Sequence, residues 1–257
     1  MSRSTTPLSL LHVVVALLYL QVVGSFHLVS QYQYTNSPQK QSYRTTPLYA
    51  LPKDQLLQLA KEYVANPSLE ALADDFIFRG PVIGPLNKKD FAATFESVAK
   101  SENDIGTAFP DMEPNAFGFT ADDPVEPNRV WYFVRPRGTF TGPFDHPVVG
   151  RIEPTGAKYI APPEARSVIF NDEGRVQYQS VGYVTDRFTG DTTGGQGAVF
   201  GLYAVMGQEL DDTVGSPVTV LLQKIAEWLP EGMVPKSYSK KEELPSWWKD
   251  ERMGAQK

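Results

Sequence analysis

The chain contains no cysteine, and this absence removes several kinds of chemistry at once. Without thiols it cannot form disulfides, ligate an iron–sulfur cluster, build a zinc–cysteine site or use a thiolate nucleophile. Histidine is nearly as scarce: His12 and His27 lie close to the N-terminus, and His146 is the third and last. One imidazole cannot build a multi-histidine metal site. We therefore expect chemistry that depends on carboxylates, tyrosines and arginines, with no metal and no organic cofactor.

Acidic residues are absent from the first 53 positions, which carry four basic residues. The apolar run in this stretch, Leu8–Val23, is shorter than the roughly 20 residues that a transmembrane helix needs. It ends in the small residues Val23-Gly24-Ser25. A basic start, a short apolar segment and small residues at the cleavage position describe a secretory signal peptide over residues 1–25.

Residues 26–50 are rich in Ser, Thr, Gln and Tyr and contain no acid, a composition typical of a transit peptide. A signal peptide followed directly by such a segment resembles the bipartite plastid presequence of algae with secondary plastids, such as diatoms. In that presequence the residue after cleavage is typically a phenylalanine, and Phe26 stands there. The resemblance implies delivery to the plastid (chloroplast) through the secretory pathway. An ordinary secreted protein with a polar N-terminal stretch is the alternative.

From Asp54 onward the chain is acidic. All 30 acidic residues lie there, against 20 of the 24 basic ones, so the formal charge of this part is −10. Nucleic-acid binding needs a basic surface, and we expect none. About 200 residues favour one domain. We assign it to residues 51–213, followed by a C-terminal helix and polar tail over residues 214–257.

Hydrophobic periodicity predicts helices first and strands second, which indicates an α+β fold. Helices are expected over Leu51–Val64, Ser68–Ala73, Lys88–Lys100 and Ala198–Met206, with a terminal helix starting at Ser216-Pro217. Strands are expected over Phe76–Gly80, Ala116–Ala121, Arg129–Thr141, Arg166–Asn171 and Arg175–Asp186. A curved, mostly antiparallel sheet wrapped over N-terminal helices forms a cone with a mainly apolar pocket at one end.

Three motifs within this order carry a resemblance to a known family. They are Asp75-Phe76-Ile77-Phe78-Arg79-Gly80-Pro81, Arg137-Gly138-Thr139-Phe140-Thr141-Gly142 and Glu173-Gly174-Arg175-Val176 leading to Asp186. Together they look like the SnoaL-like branch of the nuclear transport factor 2-like (NTF2-like) superfamily. Its members include polyketide cyclases, ketosteroid isomerases, dehydratases and non-catalytic ligand-binding or assembly domains.

The resemblance implies that a carboxylate near the end of the last hairpin acts as acid and base, and Asp186 is the nearest match. At a strand end facing an aromatic cavity, desolvation would raise its pKa towards that of a useful base. Tyr132 and Tyr183 would supply orienting hydroxyls to a developing oxyanion. The structural alternative is that Asp186 pairs with Arg187 or caps the turn before Phe188.

Four further residues are expected to contact the substrate. Phe140 occupies the position where catalytic relatives commonly carry histidine, and strand alternation puts Val134 on the same face. Gln179 is expected to share a face of the last strand with Tyr183, and Arg79 is expected to give electrostatic help. The prolines and glycine around His146 predict a loop and a solvated imidazole.

Two functions follow from different classes of protein. The first is a plastid SnoaL-like protein that binds a hydrophobic small molecule, and isomerises or cyclises it by carboxylate acid/base chemistry. The second is a non-catalytic assembly factor, in which the terminal helix and Trp247-Trp248 hold a photosynthetic partner or a thylakoid surface. For both functions we expect a mature chain without a transmembrane span. If the protein forms an oligomer, we expect a homodimer formed through the outer face of the sheet.

The presequence yields the first prediction. A fusion of residues 1–55 to a fluorescent protein should enter the plastid when expressed in a diatom, because it carries both targeting signals. A fusion of residues 1–25 alone should be secreted. Fluorescence microscopy against chlorophyll autofluorescence measures both outcomes, and secretion of the longer fusion would refute the plastid assignment.

Overall fold

The computed structural model describes residues 50–99, 102–146, 149–189, 192–208, 210–229 and 236–249, so the predicted signal peptide and transit-like segment lie outside the described residues. The strands are β1 Leu72–Arg79, β2 Leu86–Asn87, β3 Ala116–Thr120, β4 Arg129–Val134, β5 Arg137–Thr139, β6 Phe144–His146, β7 Gly150–Ile152, β8 Lys158–Ile160, β9 Glu164–Phe170 and β10 Val176–Val184. The helices are α1 Lys53–Ala65, α2 Lys88–Ala99, α3 Ile105–Ala108, α4 Ala198–Val205, α5 Pro217–Glu227 and α6 Ser246–Lys249, with a 3₁₀ turn over Lys241–Glu243.

Six strands form one mixed sheet in the order β2-β1-β10-β9-β4-β3. The pairing of β1 with β10 is parallel, and the other pairings in this sheet are antiparallel. Two small two-stranded sheets, β5-β8 and β6-β7, extend it. The prediction of an α+β fold with a curved, mostly antiparallel sheet is confirmed.

The uninterrupted pairing of β4 with β9 defines the two faces of the sheet. Tyr132 lies opposite Arg166 and Val130 opposite Val168, while Trp131 lies opposite Ser167. Because neighbouring residues of a strand point to opposite faces, the even-numbered residues of both strands share one face. We call it the inner face, since α1 covers it, and we call the opposite side the outer face.

The main core lies between α1 and the inner face. The apolar spacing of α1 buries Leu56, Ala60 and Tyr63 against Val130 and Val168. Helix α2 extends this core through its Phe91 ring, whose centroid lies 5.2 Å from that of Phe76 and 5.1 Å from that of Phe78. A second cluster joins α3, α4, β6 and β8, and its buried members are Ala108, Phe109, Phe140, Phe144, Tyr159, Ala161, Tyr203 and Met206.

Two predicted elements differ from the structure. The expected helix Ser68–Ala73 is a turn, in which the Ser68 hydroxyl accepts a hydrogen bond from the Ala71 amide at 3.3 Å, and β1 starts at Leu72. The expected single strand Arg129–Thr141 is divided into β4 and β5. Pro136 lies at the division, and proline has no amide hydrogen to donate to a strand ladder.

The C-terminal segment covers part of the outer face. Trp248 is buried and its ring stacks on Tyr178, with centroids 5.8 Å apart, while the Trp247 indole donates to the Asp75 carbonyl at 3.0 Å. Near residue 239 the segment is fixed at the buried Asp90 carboxylate, which accepts from the Ser239 hydroxyl at 2.6 Å and from Lys236 at 2.8 Å. The tryptophan pair therefore packs on its own domain.

Helix α5 starts as the sequence predicts. The Ser216 hydroxyl accepts from the Thr219 amide at 3.4 Å, and Pro217 occupies the first helical position. One side of the helix and its flanks exposes apolar side chains, which are Val214, Val218, Leu221 and Trp228. No helix among the residues described here combines the length and the apolar composition needed to cross a membrane.

The packing of the C-terminal segment predicts the effect of removing its anchor. Trp248→Ala should lower the free energy of unfolding by about 3 kcal/mol, because a large aromatic side chain leaves a buried contact. Trp228→Ala should change it by less than about 0.5 kcal/mol, because Trp228 is 90 % exposed. Urea unfolding of both variants measures the difference. A Trp248→Ala effect as small as that of Trp228→Ala would contradict the prediction, because the buried tryptophan would then contribute nothing to stability.

Candidate functional site

The strongest electrostatic feature of the inner face is an ion pair within β9. Glu164 and Arg166 are two residues apart on an uninterrupted strand, so both side chains lie on the inner face. Arg166 donates to Oε2 of Glu164 from Nε at 3.2 Å and from Nη2 at 2.8 Å. The Glu164 side chain is fully buried, whereas that of Arg166 is 22 % exposed. A group that approaches this site from outside therefore meets the cation first.

The second carboxylate oxygen of Glu164 binds the start of α4. Its Oε1 accepts a hydrogen bond from the Ala198 amide at 2.7 Å. The positive end of a helix dipole stabilises a carboxylate in this position. For the Gly-rich run before α4, the sequence leaves two options open: binding of an anion by its amides, or a hinge. In the structure the amide at the start of α4 binds an anion of the chain itself.

Gly197 is required for this contact. A Cβ atom at residue 197 would lie 2.8 Å from Cγ2 of Val184, closer than real Cβ atoms essentially ever come, and a tight 3.0 Å from Oε1 of Glu164. The next residue, Ala198, has a φ of +46°, a left-handed value that a non-glycine residue adopts at a cost. The local backbone is thus held in an unfavourable conformation where it binds Glu164.

Tyrosine hydroxyls surround the ion pair. Tyr132 is the cross-strand neighbour of Arg166, and the charges of Glu164 and Arg166 act on both Tyr132 and Tyr159. Burial is the largest cause that raises the pKa of each phenol above its ordinary value. Among the residues that the structure describes, neither hydroxyl has a hydrogen-bond partner.

A third tyrosine joins the site from α1. The Tyr63 hydroxyl donates to Oε1 of Gln179 at 3.0 Å, and burial, followed by the proximity of Tyr132, raises its pKa. We call the set formed by Tyr63, Tyr132, Tyr159, Glu164, Arg166 and Gln179 the inner polar cluster. It lies among apolar side chains, including the ring of Phe119, which stacks on Tyr132 at 5.1 Å.

Several residues predicted for the site lie in or beside this cluster. Tyr132 and Val134 are buried on the inner face, and Gln179 lies on the same face because it pairs with Val168. Phe140 is fully buried in the second cluster, where its ring stacks on Phe109 at 5.4 Å. Phe109 in turn contacts Tyr159, so Phe140 is one side chain removed from the cluster.

Tyr183 lies on the other side of the sheet. The pairing of β10 with β9 shifts by one residue between Ser180 and Tyr183, so Tyr183 pairs with Ala165 on the outer face. Gln179 and Tyr183, expected on one face, therefore lie on opposite faces. Such an irregularity exchanges the faces of all residues that follow it. Gly182, with a φ of +79°, provides the conformation that the shift needs.

Asp186 lies beyond the end of β10 and is exposed. Its carboxylate accepts hydrogen bonds from the Thr189 hydroxyl and from the Phe188 amide. These two hydrogen bonds hold the pKa of Asp186 below its ordinary value. The expected rise of this pKa by desolvation is wrong, and the turn-capping alternative describes the contacts that the structure has.

Arg79 and His146 also differ from expectation in their surroundings. Arg79 donates from Nη1 to the carbonyls of Ile83 and Gly84, at 3.1 and 2.8 Å, and so holds the loop that follows β1. His146 is buried rather than solvated, with its ring centroid 5.0 Å from that of Tyr203. Burial lowers the pKa of His146. The loop that proline and glycine predicted here is also wrong, because His146 is the last residue of β6.

Sequence reasoning missed the ion pair. The predicted strand started at Arg166, which left Glu164 outside it. The signal that would have found the pair is Glu164-Ala165-Arg166 itself: opposite charges two apart, continuing the alternation of an apolar strand, share one face. Within the described ranges, no group of three His, Asp or Glu side chains is placed to hold a metal ion.

Comparisons with known proteins were made at three levels. No family model matches this chain, and no curated protein sequence matches it significantly. Among solved structures, one neighbour is a candidate SnoaL-like polyketide cyclase from Jannaschia Sp. CCS1, with 17 % identity over 50 % of this chain and 85 % of its own, and a TM-score of 0.37.

Two further neighbours are similar to the same extent. A candidate polyketide cyclase from Xanthomonas campestris pv. campestris is 16 % identical over 50 % of this chain and 90 % of its own, with a TM-score of 0.34. A phenazine biosynthesis-related protein from Pseudomonas aeruginosa is 14 % identical over 66 % of this chain and 94 % of its own, with a TM-score of 0.36. Similarities of this strength transfer no residue role, reaction or substrate.

Because of the ion pair, replacing one carboxylate oxygen of Glu164 by an amide nitrogen should have a large effect on the free energy of unfolding. Glu164→Gln should lower the free energy of unfolding by about 2–3 kcal/mol, because the partly buried Arg166 loses its counter-charge. The matched control is Glu153→Gln, which breaks another Glu–Arg pair of the same sequence spacing. Its partners are 54 % and 74 % exposed, and we expect a change below about 0.5 kcal/mol.

Urea unfolding followed by circular dichroism measures both variants. Equal effects of the two substitutions would contradict the assignment, because they would mean that burial of the Glu164 carboxylate does not matter for stability.

Proposed function

We propose that this protein binds a small, mainly apolar molecule at the inner polar cluster, and that it does so in the plastid as a SnoaL-like member of the NTF2-like superfamily. The plastid part is supported by the order of targeting signals around Phe26. The family part is supported by the motifs at residues 75–81, 137–142 and 173–186, together with the α+β fold.

One observation carries the binding proposal: the phenol hydroxyls of two buried tyrosine side chains, Tyr132 and Tyr159, have no hydrogen-bond partner in the described part of the chain. Tyr132 and Tyr159 are each 2 % exposed. The two hydroxyl oxygens are not fully enclosed by protein atoms, so water or a ligand reaches them. A bound molecule with a polar group would accept hydrogen bonds from these hydroxyls in place of water, and the apolar side chains around the cluster would contact the rest of it.

A more specific version of this proposal is that the protein also catalyses a reaction of the bound molecule. Asp186 is the sequence-based candidate for the acid and base, but its exposed carboxylate already accepts two hydrogen bonds. Glu164 accepts three, two from Arg166 and one from Ala198. A general base needs a lone pair aimed at the substrate. Binding is therefore better supported than carboxylate-dependent isomerisation or cyclisation.

A second candidate function is an interaction with another protein through α5. The observation that favours it is the exposed apolar stripe of Val214, Val218, Leu221 and Trp228, in which Leu221 is 56 % exposed. The tryptophan pair at 247 and 248 gives it no support, because Trp248 packs on Tyr178. Leu221→Asp should abolish such an association and leave small-molecule binding unchanged.

The binding proposal is tested with protein purified from its own source. Native mass spectrometry, followed by organic extraction, should detect a stoichiometric small molecule. Tyr132→Phe should lower its occupancy at least threefold, because the substitution removes only the inner-face hydroxyl. The control is Tyr178→Phe, a buried tyrosine on the outer face, which should retain full occupancy.

Two results would contradict the proposal. The first is a protein that carries no small molecule. The second is equal loss of the molecule in the Tyr132 and Tyr178 variants, since that would place binding elsewhere or reflect a general loss of structure.

A further inference from the structure

We infer that the inner polar cluster recognises a carboxylate, so that the ligand is a mainly apolar molecule that carries one. This inference rests on the proposed function, since it names the chemical class of what binds there. It is drawn from the balance of hydrogen-bond donors and acceptors in the cluster.

The carboxylate and amide oxygens of the cluster already accept hydrogen bonds. Both carboxylate oxygens of Glu164 accept hydrogen bonds, Oε2 from Arg166 and Oε1 from Ala198. The side-chain oxygen of Gln179 accepts from Tyr63. A ligand that came to donate hydrogen bonds would find each of these oxygens already engaged by a donor of the protein itself.

Donors, by contrast, remain. A guanidinium has five N–H groups, and Arg166 uses two of them on Glu164. Within the part of the chain that the structure describes, its other N–H groups have no acceptor. The hydroxyls of Tyr132 and Tyr159 add two more donors beside it. Three side chains in one cluster thus have donors to offer, which favours a ligand group with two acceptor oxygens.

The charge of the cluster also favours an anion. It contains one cation, Arg166, one anion, Glu164, and the positive end of α4, which counts as roughly half a charge. The sum is positive. The anion is fully buried and the cation is 22 % exposed, so an incoming group meets the positive member. Bidentate binding to a guanidinium is the geometry that a carboxylate prefers.

Arg166 is held ready for such a contact. Its guanidinium is held by two hydrogen bonds to Glu164, and Glu164 is held in turn by the Ala198 amide. Gly197 has no side chain that would crowd the Glu164 carboxylate. An arginine held in this way loses little further rotamer freedom when a ligand binds. The neighbours Val134 and Phe119 are apolar and suit the remainder of the ligand.

The test compares two probes that differ only in charge. They are 2-naphthoate, which is ionised at pH 7, and its methyl ester, and binding of each is measured by isothermal titration calorimetry. Naphthoate should bind at least tenfold more tightly than the ester. Acetate alone should bind at least a hundredfold more weakly than naphthoate, which distinguishes a ligand carboxylate from a free small anion.

Three variants assign the difference to the cluster. Tyr132→Phe and Tyr159→Phe should each weaken naphthoate binding three- to tenfold, because each removes one donor, and should weaken ester binding less, because the neutral ester carbonyl is the weaker acceptor. Arg166→Lys should remove most of the preference for naphthoate over its methyl ester. Lysine keeps the positive charge but lacks the two parallel N–H groups with which a guanidinium binds a carboxylate. Tyr178→Phe, on the outer face, should change neither affinity.

The outcomes separate this inference from the function on which it rests. Equal affinities for acid and ester would overturn the carboxylate inference and leave binding at the inner face intact. Failure of naphthoate to bind at millimolar concentration, with an uncharged molecule recovered from the native protein, would also overturn it. If no molecule is recovered and neither probe binds, the proposed function itself fails.

Discussion

The buried carboxylate of Glu164 is the constraint on which the inner face depends. A charge without solvent must be neutralised and hydrogen-bonded, and here each requirement fixes a different part of the molecule. Arg166 supplies the counter-charge and is thereby oriented beside Tyr132. The Ala198 amide supplies the remaining hydrogen bond, which ties the start of α4 to β9. One side chain thus couples the sheet, a helix and the tyrosines, and the left-handed backbone at Ala198 is part of its cost.

Local signals in the sequence predicted much of the fold. Asn87, directly before α2, caps it by accepting from the Asp90 amide at 2.9 Å, and the glycine-containing residues 172–174 form the turn between β9 and β10. Ser216 and Pro217 start α5 as predicted. These features depend on residues within one turn of each other, so a sequence reveals them. The expected helix at Ser68–Ala73 was wrong because pairing of β1 with β10, a tertiary contact, overrides a local capping signal.

The candidate site was predicted in part, and the errors have one physical origin. Tyr132, Val134 and Gln179 lie on the inner face, since alternation holds along β4 and from Tyr178 to Ser180 on β10. Beyond Ser180 the pairing shifts, and Tyr183 passes to the outer face. Asp186 follows a strand that has ended, so its carboxylate is satisfied by its own turn. Alternation cannot reveal a shift of pairing, because the shift depends on the partner strand.

The parallel pairing of β1 with β10 also bears on how this chain folds. Leu72 pairs with Val176, and between them lie β2 to β9 and two helices. Contacts between residues so distant in sequence slow folding, because a long loop must close before they form. The edge of β1 cannot be paired in this way until the chain has been synthesised past β10. A nascent chain of this protein therefore lacks the pairing of β1 with β10 through most of translation, and its six-stranded sheet is completed only after β10 has been synthesised.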